Sequence, residues 1–191
     1  MRPFTFGGNF IKEWNKMLVK SEYQSPLGQL LIVCDEQTVK GIWFEKQKYF
    51  GAQYDLASIP VGENETTTQV KAWLTQYFAG EISEIDLTLL APETTAFRQK
   101  VFEILKRVPA GQTITYKEIA DKLTEQENGV KGSARAVGGA VGHNPISLLI
   151  PCHRVVGSDG SLTGYAGGIE RKKALLALEG FDHGRLEHGY T

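Results

Sequence analysis

The apolar residues of this chain keep one rhythm before residue 92 and another after it, and that switch limits the possible folds more than any other feature. From Leu18 to Glu45 the pattern is that of strands. Ser25-Pro26-Leu27-Gly28 reads as a turn, followed by the apolar run at 30–34 and, after a polar break, Gly41-Ile42-Trp43-Phe44. Val70, Trp73, Leu74, Tyr77 and Phe78 then recur at the spacing of one helix face, which Gly80 closes as a C-cap. Residues 82–90 read as an extended connector, and we place a boundary between two domains at Ala91-Pro92.

Beyond that boundary the helical period dominates. Phe97, Val101, Ile104, Leu105 and Val108 form the apolar stripe of a helix over about 95–107, stopped by Pro109-Ala110-Gly111. Thr115-Tyr116-Lys117-Glu118 has the form of a capping box and opens a short helix with Ile119, Ala120 and Leu123 inward. A polar turn at 124–132 leads to a second short helix, Ser133-Ala134-Arg135-Ala136-Val137-Gly138-Gly139-Ala140-Val141. The pair fits a helix-turn-helix with a long turn, although small residues suit close helix packing equally well. An apolar strand is expected at 146–150, running into Pro151-Cys152-His153-Arg154-Val155-Val156. A loop with five glycines follows, and a last helix at about 169–178 ends at Glu179-Gly180. The expected fold class is α/β in two parts: residues 17–92 as an antiparallel sheet with a helix, and 93–182 as a mainly helical domain. Residues 1–16 form an extension and 183–191 a tail.

The 191 residues suit one large domain or two small ones. No apolar run reaches the roughly 18 residues of a membrane span, so no membrane association is expected. Residues 1–16 lack the apolar core of a secretory signal, which points to the cytoplasm. Two cysteines in a chain of this size are no disulfide framework, and neither a CxxC pair nor a Cys/His cluster supports a metal site. The net charge of −1 hides a gradient. Residues 1–92 carry 8 Lys/Arg against 11 Asp/Glu, whereas residues 93–173 carry 12 against 8. A basic second half is a weak pointer to nucleic acid, and solvated surface charge accounts for it equally well.

Cys152 is the candidate nucleophile, since its surroundings suit catalysis by cysteine. A thiol attacks only as thiolate, and a neighbouring imidazole or cation lowers its pKa from about 8.5. His153 and Arg154 follow it directly, Pro151 stiffens the approach, and the glycines beyond allow a loop to close on a flat ligand. Free cysteines are more often buried packing. Cys34, inside its apolar run with no basic neighbour, is read that way. Adjacent side chains on an extended chain point to opposite sides, so His153 is expected to reach the sulfur through a water.

The segment Asn144-Pro145-Ile146-Ser147-Leu148-Leu149-Ile150-Pro151-Cys152-His153-Arg154-Val155-Val156-Gly157 closely resembles the active-site segment of O6-alkylguanine-DNA alkyltransferases. Further blocks agree: Ser133 to Ala140, Thr163-Gly164-Tyr165-Ala166-Gly167-Gly168, Thr115-Tyr116 and Leu178-Glu179-Gly180. Fainter similarity at Ser25-Pro26-Leu27-Gly28 and Gln76-Tyr77-Phe78-Ala79-Gly80 extends the likeness over about 20–181. The resemblance is to bacterial members of the constitutive type. It implies a ribonuclease-H-like N-terminal domain and a winged-helix-like C-terminal domain. It also implies irreversible, single-turnover transfer of an alkyl group from O6-alkylguanine to Cys152, with no cofactor and no metal.

By the same resemblance His153 is a general base acting through water, Glu179 orients it, and Asn144 braces the turn that carries the cysteine. Tyr116 would bond the guanine edge, Val155 would offer its backbone to the base, and Tyr165 and Ala166 would wall the pocket. Arg135 would fill the stack left by a flipped base, with Ala134, Ala136 and Gly138 allowing close approach to the minor groove. The implied partner is double-stranded DNA with alkylated bases, met by a monomer. Ala166 stands where some relatives carry serine, which implies a more apolar pocket open to bulkier alkyl groups or O4-alkylthymine. The turn at 124–132 is longer than the family pattern. Two other classes remain open: a non-catalytic lesion binder, opposed by the presence of Cys152, and a transcription regulator, opposed by the scarcity of base-reading side chains around Arg135. A cysteine hydrolase is opposed by the adjacent Cys-His spacing.

Overall fold

A computed structural model describes residues 17–126 and 132–181. The extension at 1–16, the whole tail at 183–191 and the middle of the long turn lie outside the described residues. Strands β1 (Val19–Ser25), β2 (Gly28–Cys34) and β3 (Val39–Phe44) form an antiparallel sheet in that order. Ser25 Oγ closes the first turn, donating to Gly28 O at 2.6 Å while accepting from Leu27 N at 3.1 Å. Alternation then sorts the side chains. Leu30, Ile32, Cys34, Ile42 and Phe44 enter the main core, while Val33 and Trp43 pack with Ile59 on the other face.

Helix α1 (Glu65–Phe78) lies against the sheet and begins five residues before its apolar stripe. The reason is local. Asn64 Oδ1 accepts from Thr67 N at 2.9 Å, and Thr67 Oγ1 accepts from Asn64 N at 2.8 Å, a reciprocal cap built from residue types that hydropathy does not register. The connector contains one 3-10 turn, Leu87–Leu89, and Leu90 makes an isolated bridge to Val39.

The C-terminal domain holds α2 (Ala96–Leu105), β4 (Ile114–Thr115), α3 (Tyr116–Gln126), α4 (Ala134–Gly142), β5 (Val155–Val156) and α5 (Ile169–Leu178). The expected capping box is present: Thr115 N donates to Glu118 Oε2 at 2.7 Å, and Glu118 N donates to Thr115 Oγ1 at 3.1 Å. Ser133 caps α4 by accepting from Ala136 N at 3.1 Å. The two-residue strands β4 and β5 pair in parallel, Ile114 with Val155 and Thr115 with Val156. The α/β architecture, a sheet-and-helix domain followed by a mainly helical one, is as the sequence predicts.

The strand expected at 146–150 is not there. Only Ile146 makes a bridge, to Ile42, and the chain then coils through turns with Leu148 at φ 72°. The Asn144 amide draws the segment together, donating to Ile146 O at 3.3 Å and to Ile150 O at 2.7 Å. The run is apolar because it is buried on every side, between β3 and the helices; an unbroken apolar run signals burial without specifying extension.

The two domains share one continuous apolar core, running from β2, β3 and α1 into the helices beyond residue 95. Polar bonds join them as well. Ile42 N donates to Pro145 O at 2.8 Å and Ser147 N donates to Ile42 O at 2.9 Å. Arg171 of α5 donates to Leu27 O at 2.8 Å and Glu45 O at 3.3 Å, with its guanidinium 4.7 Å from the Phe44 ring centroid.

Candidate active site

Cys152 opens a 3-10 turn, Cys152–Arg154, and is 4% exposed. The extended geometry expected for residues 152 and 153 is therefore replaced by a tight turn with about three residues per revolution. Asn144 Nδ2 donates to Cys152 Sγ at 3.0 Å, so one side chain holds both the preceding turn and the sulfur. Burial pushes the thiol above its ordinary pKa, against the pull of the Asn144 amide, the Lys172 charge and local backbone N–H groups. The sequence predicts a pKa lowered by an imidazole or cation. Desolvation outweighs them, so the thiol is held above its ordinary range rather than below it.

The neighbouring imidazole is shifted toward its neutral form. Burial lowers the pKa of His153, partly offset by the carboxylate beside it. His153 Nε2 lies 2.7 Å from Glu179 Oε1, and its Nδ1 is buried with no hydrogen-bond partner among the described residues. Glu179 is saturated with donors. Oε1 also accepts from Tyr77 Oη at 2.7 Å and Arg154 Nη2 at 2.7 Å, and Oε2 accepts from Arg154 Nε at 2.8 Å and Gly111 N at 3.3 Å. His153 and Arg154 hold the carboxyl far below the ordinary glutamate range in spite of its burial. Gly111 sits at φ 76°, and a Cβ there would meet Glu179 O at 2.8 Å, so only glycine allows this backbone to come so close.

A loop and two helices surround the sulfur. Tyr116, at the start of α3, donates to Thr163 O at 3.2 Å and Gly164 O at 3.4 Å. Tyr165 is buried with its hydroxyl unpaired among the described residues, and both tyrosines sit within electrostatic range of Cys152. Gly167 has no room for a side chain, since a Cβ would lie 2.6 Å from the Tyr165 ring. Ala166 is half-buried, and its carbonyl accepts from Lys48 N at 3.1 Å, a contact from the N-terminal domain. Val155 N donates to Cys152 O, and Val155 O accepts from Lys172 Nζ, which also donates to Thr163 O at 3.0 Å. Lys172 is fully buried, and desolvation lowers its pKa to about 8.

On α4, Val137, Ala140 and Val141 face the core, while Ala134, Arg135 and Ala136 are exposed. Gly138 lies against Tyr116, where a Cβ would be 3.8 Å from the ring. The helix thus presents an arginine among small residues, one of which, Gly138, lies against Tyr116. Among the described residues no group of three or more His, Cys, Asp or Glu could hold a metal ion.

Cys152, His153, Glu179, Asn144 and Val155 are therefore joined by direct bonds, Tyr116 and Tyr165 lie near the sulfur, Ala166 adjoins Tyr165 in the loop, and Arg135, Ala134 and Ala136 are exposed on the helix whose Gly138 touches Tyr116. Sequence reasoning misses four contributors. Tyr77 is legible only as a member of an apolar stripe, Gly111 only as a helix stop, and Arg154 only as a cation near the thiol. Lys172 hides in the basic run Arg171-Lys172-Lys173. Its signal is the spacing 172, 175, 176, 179, which sets it on one helix face with Leu175, Leu176 and Glu179.

Comparison with known proteins agrees with this geometry. Residues 18–91 match the family model of the 6-O-methylguanine DNA methyltransferase ribonuclease-like domain, and residues 96–181 match that of the same family's DNA binding domain. A methylated-DNA–protein-cysteine methyltransferase of Haemophilus influenzae is 40% identical over 159 residues, covering 82% of this chain and 83% of the relative. One of Mycobacterium tuberculosis is 41% identical over 155 residues, covering 81% and 88%. The crystal structure of the Mycobacterium tuberculosis O6-methylguanine methyltransferase superposes with a TM-score of 0.72 at 39% identity, covering 85% of this chain and 93% of that one. The Mycobacterium tuberculosis OGT structure in complex with DNA superposes at 0.71, also at 39% identity, covering 83% and 90%. With both halves matched and relatives this similar across most of its length, the chain belongs to the 6-O-methylguanine DNA methyltransferase family.

Proposed function

We propose that the protein repairs alkylated double-stranded DNA by moving the alkyl group of O6-alkylguanine onto Cys152, once per molecule. The observation that carries this reading is the buried cysteine held by Asn144 next to a neutral histidine paired with an ionised glutamate. The thiol proton passes through a bridging water to His153 Nδ1, and the imidazolium so formed is stabilised by Glu179. Sγ attacks the alkyl carbon, the C–S bond forms and the C–O6 bond breaks. The electron pair stays on guanine, which takes up a proton to balance the one that the thiol lost. Tyr116 exchanges its bonds to the Thr163 and Gly164 carbonyls for the base edge and stabilises the departing guanine. Val155 O, which has a second lone pair beyond the one taken by Lys172, receives the base.

Chemistry on a paired base requires its extrusion. Arg135 fills the gap, and Ala134, Ala136 and Gly138 let α4 approach the groove. Ala166 supplies a methyl where a serine would supply a hydroxyl, which favours larger alkyl groups and O4-alkylthymine. The thioether is stable, which makes the transfer single-turnover, and the lesion itself is the alkyl donor, so the reaction calls for no cofactor. We take residues 17–92 and 93–182 as the two domains of a cytoplasmic monomer, a setting that two free cysteines suit. The deciding test is intact mass after incubation with duplex DNA carrying O6-methylguanine. One methyl gained and mapped to Cys152 is expected; repeated turnover, or methylation of Cys34, would refute the mechanism.

A further inference from the structure

Glu179 receives one donor from the other half of the molecule. Tyr77, near the end of α1, is fully buried and lies 102 positions from Glu179 in the chain, yet its hydroxyl donates to Oε1 at 2.7 Å. Its ring is fixed by stacking on Trp73, with centroids 4.9 Å apart at 19°, and by an edge contact with Phe78 at 5.4 Å and 85°. The same oxygen takes His153 Nε2 and Arg154 Nη2, so the phenol competes with the histidine for the charge on which the relay depends. We infer that Tyr77 is a positioning residue of the N-terminal domain that sets the proton affinity of His153 through Glu179, and so the pH range over which Cys152 is deprotonated. This rests on the alkyl-transfer reading.

The physical argument is one of shared acceptor charge. A carboxylate oxygen that accepts a phenol bond is less basic than one that does not, and it stabilises the neighbouring imidazolium less. Removing the hydroxyl raises the proton affinity of His153. The other charged or titratable groups facing this pair are Arg154, Lys172, Tyr165 and the sulfur of Cys152, and none changes in the variant. Tyr77→Phe keeps the ring and its stacking, so the substitution addresses the hydroxyl alone.

Two readouts on the full chain test this. Imidazole NMR follows the His153 titration without DNA, and quenched single-turnover assays give the methyl-transfer rate from pH 5.5 to 9. In Tyr77→Phe the His153 midpoint and the acid limb of the rate are both expected to move up by about half a pH unit, leaving the high-pH plateau within about threefold of wild type. A fluorotyrosine placed at position 77, a stronger donor, should move both the other way; it also decides the matter if the phenylalanine variant does not fold. A uniform loss of rate with an unmoved limb and an unmoved His153 midpoint would overturn the inference, because packing alone would produce it. A wild-type protein that transfers no methyl would instead defeat the alkyl-transfer reading, while the NMR titration would still decide whether Tyr77 governs His153.

Discussion

The two cysteines of this protein are both buried, one in the sheet and one in the turn before β5, and their surroundings are chemical opposites. Cys34, at the end of β2, is packed among apolar side chains, and burial together with the charge of Asp35 pushes its thiol up to about 12. Cys152 is also raised by burial, but an amide donates to its sulfur and a buried ammonium stands near it. A histidine with a free ring nitrogen among the described residues lies in the adjoining position. Low exposure is therefore no guide to reactivity. Polar atoms aimed at the sulfur distinguish Cys152 from Cys34, and they come with a cluster of desolvated charges that must satisfy one another.

The sharpest way to break this comparison is to remove each sulfur. Cys152→Ser should abolish methyl uptake from O6-methylguanine DNA, whereas Cys34→Ser should leave the transfer rate within about twofold, measured by intact mass over time. A Cys34 dependence would end the distinction between the two regions. Next in size is Glu179→Ala. It strands Arg154 and three other donors in a buried site, and we expect a loss of about 3–5 kcal/mol in urea unfolding, the usual cost of a broken buried pair. A loss under about 1 kcal/mol would mean that water reaches the cluster freely.

Asn144→Ala should slow methyl transfer by about 10- to 100-fold, the worth of a hydrogen bond to a developing charge. Iodoacetamide labelling of Cys152 should slow in step. A slowed transfer with unchanged labelling would separate the brace from the electrostatics. The smallest effect concerns acid. His153 and Glu179 have folded pKa values below their unfolded ones, so the unfolded chain binds protons first as pH falls. Their contribution is complete above about 6.5; it begins to be lost as pH drops through that value and is lost further below about 4.5, where unfolded Glu179 protonates. Urea midpoints across this window should fall in wild type and in Cys34→Ala alike, since the sheet cysteine is remote from the relay. A flat profile would show that the relay's charges are not what acid attacks.

Local signals in the sequence suffice where the controlling interaction is local. The strands around Leu30 and Trp43, the box at Thr115 and Glu118, and the helix at 169–178 each depend on neighbours within a few positions. The segment at 146–150 departs from the strand its apolar run predicts because its shape is dictated by one side chain. Asn144 pulls two carbonyls and the sulfur toward itself, and hydropathy records only that the run is buried. Tyr77 and Lys172 are invisible in sequence for the converse reason. A tyrosine on an apolar stripe and a lysine in a basic run have ordinary local explanations, and only the fold supplies their partners.

By itself the sequence determined the α/β layout in two parts, the two short helices at 116–126 and 134–142, and the block from Asn144 to Gly157 that resembles the family, because period, caps and residue types are short-range quantities. The tertiary structure alone decided how Cys152 is held and which groups gather on the carboxylate beside it. Glu179 meets Tyr77 across 102 positions and Gly111 across 68, and Lys172 joins Val155 to Thr163. Those contacts exist because burying charge requires partners, and the partners come from whichever elements the shared core brings together.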